Sequence, residues 1–298
     1  MKLKTKKMST QYKFIFFGSP LFARIVLEKL IEKDFLPLAL VCNPNKPFGR
    51  KKIITPPETK KLILEKKLEN QIKIFQPEIL DKNFILEIKN LNPQFAIVCA
   101  YSKIIPQEIL KVFPRGVLGI HPSLLPKYRG ATPIQSAILN GEKESGITIY
   151  LLDEKMDHGP ILSQRKTEIQ NLNFEKVLFK LAHLAGDLII ETIPNYLENK
   201  ISLKYQDDLQ ATYTKKISNE DAYVDFFDLK KAINEGGNIA FQIYQKILAL
   251  NPEPGTWTKK DNKRVKLLEG DLVQNKLVIK KIKIEGEREK TPPKDFFN

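Results

Sequence analysis

The feature that most restricts this chain is an alternation of short apolar runs with stretches of helical periodicity over its first two-thirds. Residues 95–100, Phe-Ala-Ile-Val-Cys-Ala, carry no charged or amide side chain. Such a strand suits a sheet covered on both faces, as parallel sheets flanked by helices are. Residues 13–17 (KFIFF) run into Gly18-Ser19-Pro20, and Phe22, Ile25, Val26 and Leu30 follow at helical spacing. The chain therefore opens as strand, tight turn, helix. Further strands are predicted at 37–42, 72–75, 116–121 and 146–152, with helices around 58–68, 78–90 and 173–196. That order predicts an α/β fold with a doubly wound, mostly parallel, Rossmann-like sheet. Neither a G-x-G-x-x-G nor a G-x-x-x-x-G-K-[ST] pattern is present, so Gly18 reads as a turn residue rather than a nucleotide cradle.

The pattern changes after residue 203. Residues 204–222 are polar and read as a linker. Residues 229–250 then read as one helix weakened by Gly236-Gly237, and Asn251-Pro252-Glu253-Pro254-Gly255 breaks the chain. Two strands are predicted at 264–269 and 276–284. The expected division is a domain of residues 1–203, a linker of 204–222 and a small β domain of 223–298. A length of 298 residues accommodates both.

The formal charge of +14 favours an anionic partner, although lysine spread over every solvated surface gives the same total. Its distribution weighs toward the partner. Residues 46–73 hold nine Lys/Arg against three Glu, and residues 223–298 hold fifteen against eleven Asp/Glu. Cys42 and Cys99 both sit in strand-like apolar runs, which suits buried thiols in a reducing compartment. No His, Cys, Asp or Glu cluster has metal-ligand spacing, so no metal is expected. The apolar runs fall short of the ~18 residues of a membrane span, and the basic first residues precede no long apolar stretch. A cytoplasmic protein with no membrane association and no obligate protein partner is expected.

Two polar residues fall where open α/β sheets bind ligands, at the carboxyl edge of the strands. His121 ends the strand at 116–121, and Pro122, Pro126 and Gly130 keep the following segment irregular. A lone histidine there is ordinarily a surface residue. Asp157, thirty-six residues on and just past the strand at 146–152, adds a carboxylate that neighbouring strands of one parallel sheet can bring beside it. The pair would handle a proton near neutral pH. Of the other histidines, His183 lies mid-helix and reads as structural. His158 neighbours Asp157. Trp257, the single Trp, reads as packing of the small domain.

The segments His121-Pro122-Ser123-Leu124-Leu125-Pro126-Lys127-Tyr128-Arg129-Gly130 and Asp153-Glu154-Lys155-Met156-Asp157-His158-Gly159 resemble the signature of the folate-dependent formyltransferases. The stretches 17–23, 45–52, 75–77, 211–213, 251–257 and 293–297 resemble its tRNA-specific branch, so the likeness runs from about residue 13 to the C-terminus. It implies that His121 is the acid/base toward an attacking amine and that Asp157 orients and balances it. It implies that Ser123, Leu124, Leu125 and Pro126 lie along the folate, with 10-formyltetrahydrofolate as formyl donor. Lys46, Arg50, Lys51 and Lys52 would meet the acceptor stem of initiator methionyl-tRNA, and the C-terminal module would be a reduced OB-type barrel.

Two departures stand out. The family has Asn where this chain has Gly119, and that side chain is held to donate to the developing oxyanion, a loss worth about 10²–10³ in rate. Glycine leaves room for a substitute donor: a backbone N–H, a water, Thr132, Gln135 or His158. Only 41 residues follow Trp257, which predicts a short barrel. A formyltransferase for a small amine such as an amino sugar, and a tRNA-binding homologue that has lost catalysis, are the competing readings. The basic segment at 46–52 weighs against the first.

Overall fold

The computed structural model describes residues 12–49 and 51–297, so Arg50 lies outside the described residues. The first two-thirds of the chain forms strands and helices in alternation. These are β1 (Phe14–Phe17), α1 (Leu21–Glu32), β2 (Ala39–Val41), α2 (Glu58–Glu65), β3 (Lys73–Phe75), α3 (Lys82–Lys89), β4 (Phe95–Cys99), α4 (Gln107–Leu110), β5 (Val117–His121), α5 (Pro133–Leu139), β6 (Glu144–Leu151), β7 (Ile161–Glu168) and α6 (Phe174–Leu197). Seven strands make one sheet in the order β7-β6-β5-β4-β1-β2-β3. β1 pairs in parallel with β2 and β4, β2 with β3, and β4 with β5. The mostly parallel sheet expected from the apolar runs is therefore present.

Every side chain of β1 is buried, as an all-apolar strand requires. Ile15 and Phe17 pack on one face with Phe84 and Ile88 of α3 and Ile109 of α4. Phe14 and Phe16 point to the opposite face by the two-residue period, where Phe14 stacks on Phe95 with ring centroids 5.3 Å apart. Gly18 is the tight turn foreseen. A Cβ there would lie 2.7 Å from both the Ala23 Cβ and the Cys99 carbonyl oxygen, so only glycine lets the chain pass from β1 into α1.

Cys42 and Cys99 are fully buried and unpaired with each other. Burial raises the Cys42 thiol to about 11 and pushes Cys99 higher still. Buried and held protonated at pH 8, both thiols should resist an aromatic disulfide reagent in the native protein. Two thiols should titrate once denaturant is added. Rapid labelling of the native protein would contradict this burial.

One expectation is corrected here. β6 runs antiparallel to β5, with His121 opposite Thr148 and Leu118 opposite Leu151. A parallel return needs a helix spanning the strand, whereas α5 has seven residues, about 10 Å, against about 27 Å for the eight-residue β6. β7 was not foreseen, because it is an edge strand whose outer residues are polar.

By contact, the chain divides into two units that interleave along the sequence. The first holds residues 1–129, 146–166 and 179–211, and the second 130–145, 167–178 and 212–298. In the second unit α7 (Phe226–Asn234) and α8 (Asn238–Leu250) pack on β8 (Trp257–Lys260), β9 (Lys263–Val273) and β10 (Lys276–Ile284), and the short exposed β11 (Glu289–Lys290) follows. These four strands form an antiparallel sheet in sequence order. The single helix expected at 229–250 is two. Gly236 and Gly237 take φ of +79° and +74°, and a Cβ on Gly236 would sit 2.3 Å from the Asn275 carbonyl oxygen. The chain breaks there because glycine adopts a left-handed turn that other residues resist. Trp257 packs as expected, its ring against Tyr223 and under the Arg264 guanidinium and its indole N–H donating to the Asn219 carbonyl. His183 is exposed on α6, not part of the core, because it lies on the solvent side of a turn that buries Leu181, Ala182 and Ala185 on its other side.

Candidate active site

β5 ends on His121, which is 5% exposed. Its Nε2 lies 2.8 Å from the carbonyl oxygen of Tyr128. A carbonyl only accepts, so Nε2 carries the proton of the neutral ring and Nδ1 holds the lone pair. Nδ1 faces Asp157 Oδ2 at 3.6 Å. That separation is too long for a hydrogen bond, and it sets the carboxylate directly opposite the ring's lone pair. The two residues singled out for proton handling are thus together.

They meet by a route the parallel reading had not supplied. Because β6 is antiparallel, residues 152–160 must double back along it. Leu151 N–H donates to the Pro160 carbonyl, and Gly159 is pressed so close to β6 that a Cβ would lie 1.8 Å from the Leu151 oxygen. Asp157 sits in the left-handed region at φ +51°, a conformation Asp tolerates better than most residues. Its carboxylate Oδ1 accepts from the Tyr150 hydroxyl at 2.7 Å, and its backbone carbonyl accepts from Gln206 Nε2 at 3.0 Å. Gly159→Ala should displace this turn and lower kcat by about a hundredfold, since a shift of about 1 Å can cost that much. Steady-state kinetics beside a tRNA-binding control would check it; an unchanged kcat would show that the turn tolerates movement.

Gln206 belongs to the segment read as linker. It also accepts from Arg129 Nε and Nη2 at 3.1 and 2.9 Å, while Arg129 Nη1 reaches Asp208 Oδ1 at 2.8 Å. Arg129 is 1% exposed, so its charge needs these partners. The hydrogen bond from Arg129 holds the Asp208 carboxyl below the usual carboxylate range. His158 has Nδ1 2.6 Å from Asp153 Oδ2 and Nε2 3.4 Å from Asp208 Oδ2, so both ring nitrogens face carboxylates. His158 is therefore engaged in the turn, not aimed as a donor toward His121.

The loop after β5 is fixed from within. Ser123 is buried, its hydroxyl donating to the Lys127 carbonyl at 2.6 Å. Thr148 donates to the Ser123 carbonyl at 2.7 Å and accepts from Leu125 N–H at 3.0 Å, and Gln164 Nε2 donates to the Leu125 carbonyl at 2.8 Å. Leu125 is buried, while Leu124 and Pro126 are half-buried. Gly119 corrects an expectation. The room left by glycine is filled: a Cβ would meet Tyr150 Cε1 at 2.4 Å and Leu152 Cδ1 at 2.5 Å. An Asn side chain does not fit beside Tyr150.

Residues 12–193 match the Formyl transferase family and residues 216–291 the Formyl transferase C-terminal domain. A methionyl-tRNA formyltransferase of Campylobacter lari is 41% identical over 91% of this chain and 85% of its own length. One from Kosmotoga olearia is 39% identical over 88% of this chain and 81% of its own. The chain belongs to the methionyl-tRNA formyltransferase family. Solved structures agree on the fold. The Clostridium thermocellum methionyl-tRNA formyltransferase superposes with TM-score 0.59 at 17% identity, covering 92% of this chain and 98% of its own. An N-formyltransferase from Helicobacter canadensis, solved with folinic acid and dTDP-3-aminofucose, gives 0.61 at 20%, covering 91% and 94%.

Within this formyltransferase the basic segment is more ordered than a plain loop. Lys46–Phe48 pairs with Ile53–Thr55 as a short antiparallel hairpin. Lys46, Lys51 and Lys52 are exposed, and so are Ile53 and Ile54, at 63% and 61%. Among the described residues no group of three or more His, Cys, Asp or Glu is placed to hold a metal, and no helix is long and apolar enough to cross a membrane. Sequence reasoning missed Tyr150, Gln206 and Asp208. Tyr150 sat in a strand like any apolar residue, and nothing in the polar run 204–210 marks it as a clamp.

Proposed function

We propose that His121 and Asp157 move the formyl group of 10-formyltetrahydrofolate onto the α-amino group of methionine carried by initiator tRNA. The observation that carries this is the orientation of His121, whose Nε2 is committed to a carbonyl while Nδ1 faces a carboxylate. As the amine nitrogen bonds to the formyl carbon, Nδ1 takes a proton from it, and Asp157 balances the imidazolium. When the carbon–N10 bond breaks, the same proton passes from Nδ1 to the departing N10. The products are formylmethionyl-tRNA and tetrahydrofolate, and His121 is restored.

Ser123, Leu124, Leu125 and Pro126 line the folate, the loop held in advance by Thr148 and Gln164. Such fixed backbone spends little entropy on binding. Lys46, Arg50, Lys51 and Lys52 hold the tRNA acceptor stem, and the exposed isoleucines beside them favour an interaction surface over a merely solvated one. Residues 1–203 carry the chemistry and 223–298 help to hold tRNA. Of the 204–222 linker, Gln206 and Asp208 serve the catalytic turn. The cytoplasm, where translation supplies this substrate, is the compartment.

Competition decides the acceptor. With labelled 10-formyltetrahydrofolate and equal concentrations of charged initiator tRNA and a dTDP-amino sugar, label should accumulate on methionine at least about a hundredfold faster. Preferential formylation of the sugar amine would overturn the assignment.

A further inference from the structure

Acyl transfer places negative charge on the carbonyl oxygen, and a hydrogen-bond donor aimed at that oxygen is worth about 10²–10³ in rate. Gly119 offers no side chain for it. Directly across the sheet, in register with Gly119, stands Tyr150. Its ring lies over the glycine, with Cε1 and Cζ 2.4 and 2.6 Å from where a Cβ at 119 would be. Glycine at 119 and tyrosine at 150 are therefore one arrangement: the ring fits only because the other side chain is missing. The phenol ends at Asp157, its Oη 2.7 Å from Oδ1, on the carboxylate whose Oδ2 faces His121 Nδ1. A buried ring used only for packing would be equally well served by phenylalanine.

We infer that Tyr150 is a catalytic residue, its hydroxyl donating to the formyl oxygen as that oxygen becomes an oxyanion. This rests on the formyl-transfer reading above. In the resting site the hydroxyl proton points to Asp157. Rotation about the C–O bond re-aims it without moving the ring, while Asp157 engages the imidazolium formed at His121. No bond to the phenol oxygen is made or broken, so the hydroxyl is a donor and not a proton source. Burial and the neighbouring Asp157 push the phenol well above its ordinary range, so it keeps that proton wherever the enzyme works.

Tyr150→Phe removes one oxygen and keeps the packing. It should lower kcat by about 10²–10³ with both KM values within about twofold, the mark of an interaction made in the transition state. Reciprocal exchange supplies the second test. Gly119→Asn alone should be impaired, because its side chain strikes the Tyr150 ring. Gly119→Asn combined with Tyr150→Ala should be at least about tenfold faster than Tyr150→Ala, because an amide donor then occupies the vacated space. A Tyr150→Phe enzyme within about threefold of wild type, or a double variant no faster than Tyr150→Ala, would overturn the assignment of Tyr150. A wild type that formylates no methionyl-tRNA would instead remove the functional reading on which it rests.

Discussion

Replacing His121 by Ala is expected to slow formyl transfer at least about a hundredfold and to leave tRNA affinity nearly unchanged. The Tyr128 carbonyl holds the proton of the neutral ring on Nε2 and leaves the Nδ1 lone pair facing Asp157, as the proposed proton transfer requires. Removal of the imidazole would delete the proposed base without touching the exposed lysines of the hairpin. Asp157→Asn should cost a similar factor for a different reason. An amide still accepts from the Tyr150 hydroxyl, but it brings no negative charge to Nδ1, so the imidazolium formed during attack loses its counter-charge. Quench-flow rates with saturating folate, alongside filter-binding of charged tRNA, separate the two quantities. Full activity in His121→Ala would exclude this residue as the base.

The triple change of Arg50, Lys51 and Lys52 to Ala should act in the opposite sense, on binding and not on chemistry. Lys51 and Lys52 are exposed at the turn of the hairpin, and their charge is available to phosphates. Each phosphate contact to a duplex releases counterions and steepens the dependence of log affinity on log salt by about 0.9. Loss of three contacts should flatten that slope by up to about 2.7 and weaken tRNA binding about tenfold or more at moderate salt. The rate at saturating tRNA should hold within a few-fold. An unchanged slope would return these residues to the ordinary solvated surface.

Different physical signals account for what the sequence revealed and what it hid. β1 and β4 were legible because burial on both faces demands unbroken apolar runs. His121 was legible because a polar residue closing such a run needs a reason. β7 was not, since Ser163, Gln164, Arg165 and Lys166 on an edge strand alternate with only partial burial. The direction of β6 is a property of the connection before it, and composition carries no trace of that. Tyr150 depended on direction too: only the antiparallel register sets it opposite Gly119. The clamp of Arg129, Gln206 and Asp208 joins residues 77 or more positions apart, a closeness no local pattern encodes. The break at Gly236-Gly237 was visible as weakness, but the backbone of Asn275 against Gly236 turns it into a full stop.

This chain, with glycine at 119, is expected to be a working formyltransferase whose proton moves through His121. The most direct measurement is a single-turnover reaction of the wild-type chain with 10-formyltetrahydrofolate and charged initiator tRNA, quenched and assayed for formylmethionine. Stoichiometric formylmethionyl-tRNA is expected from the wild type, with formation at least about a hundredfold slower in His121→Ala. Absence of formylmethionine from wild-type reactions, in reagents that a known methionyl-tRNA formyltransferase converts, would contradict that expectation.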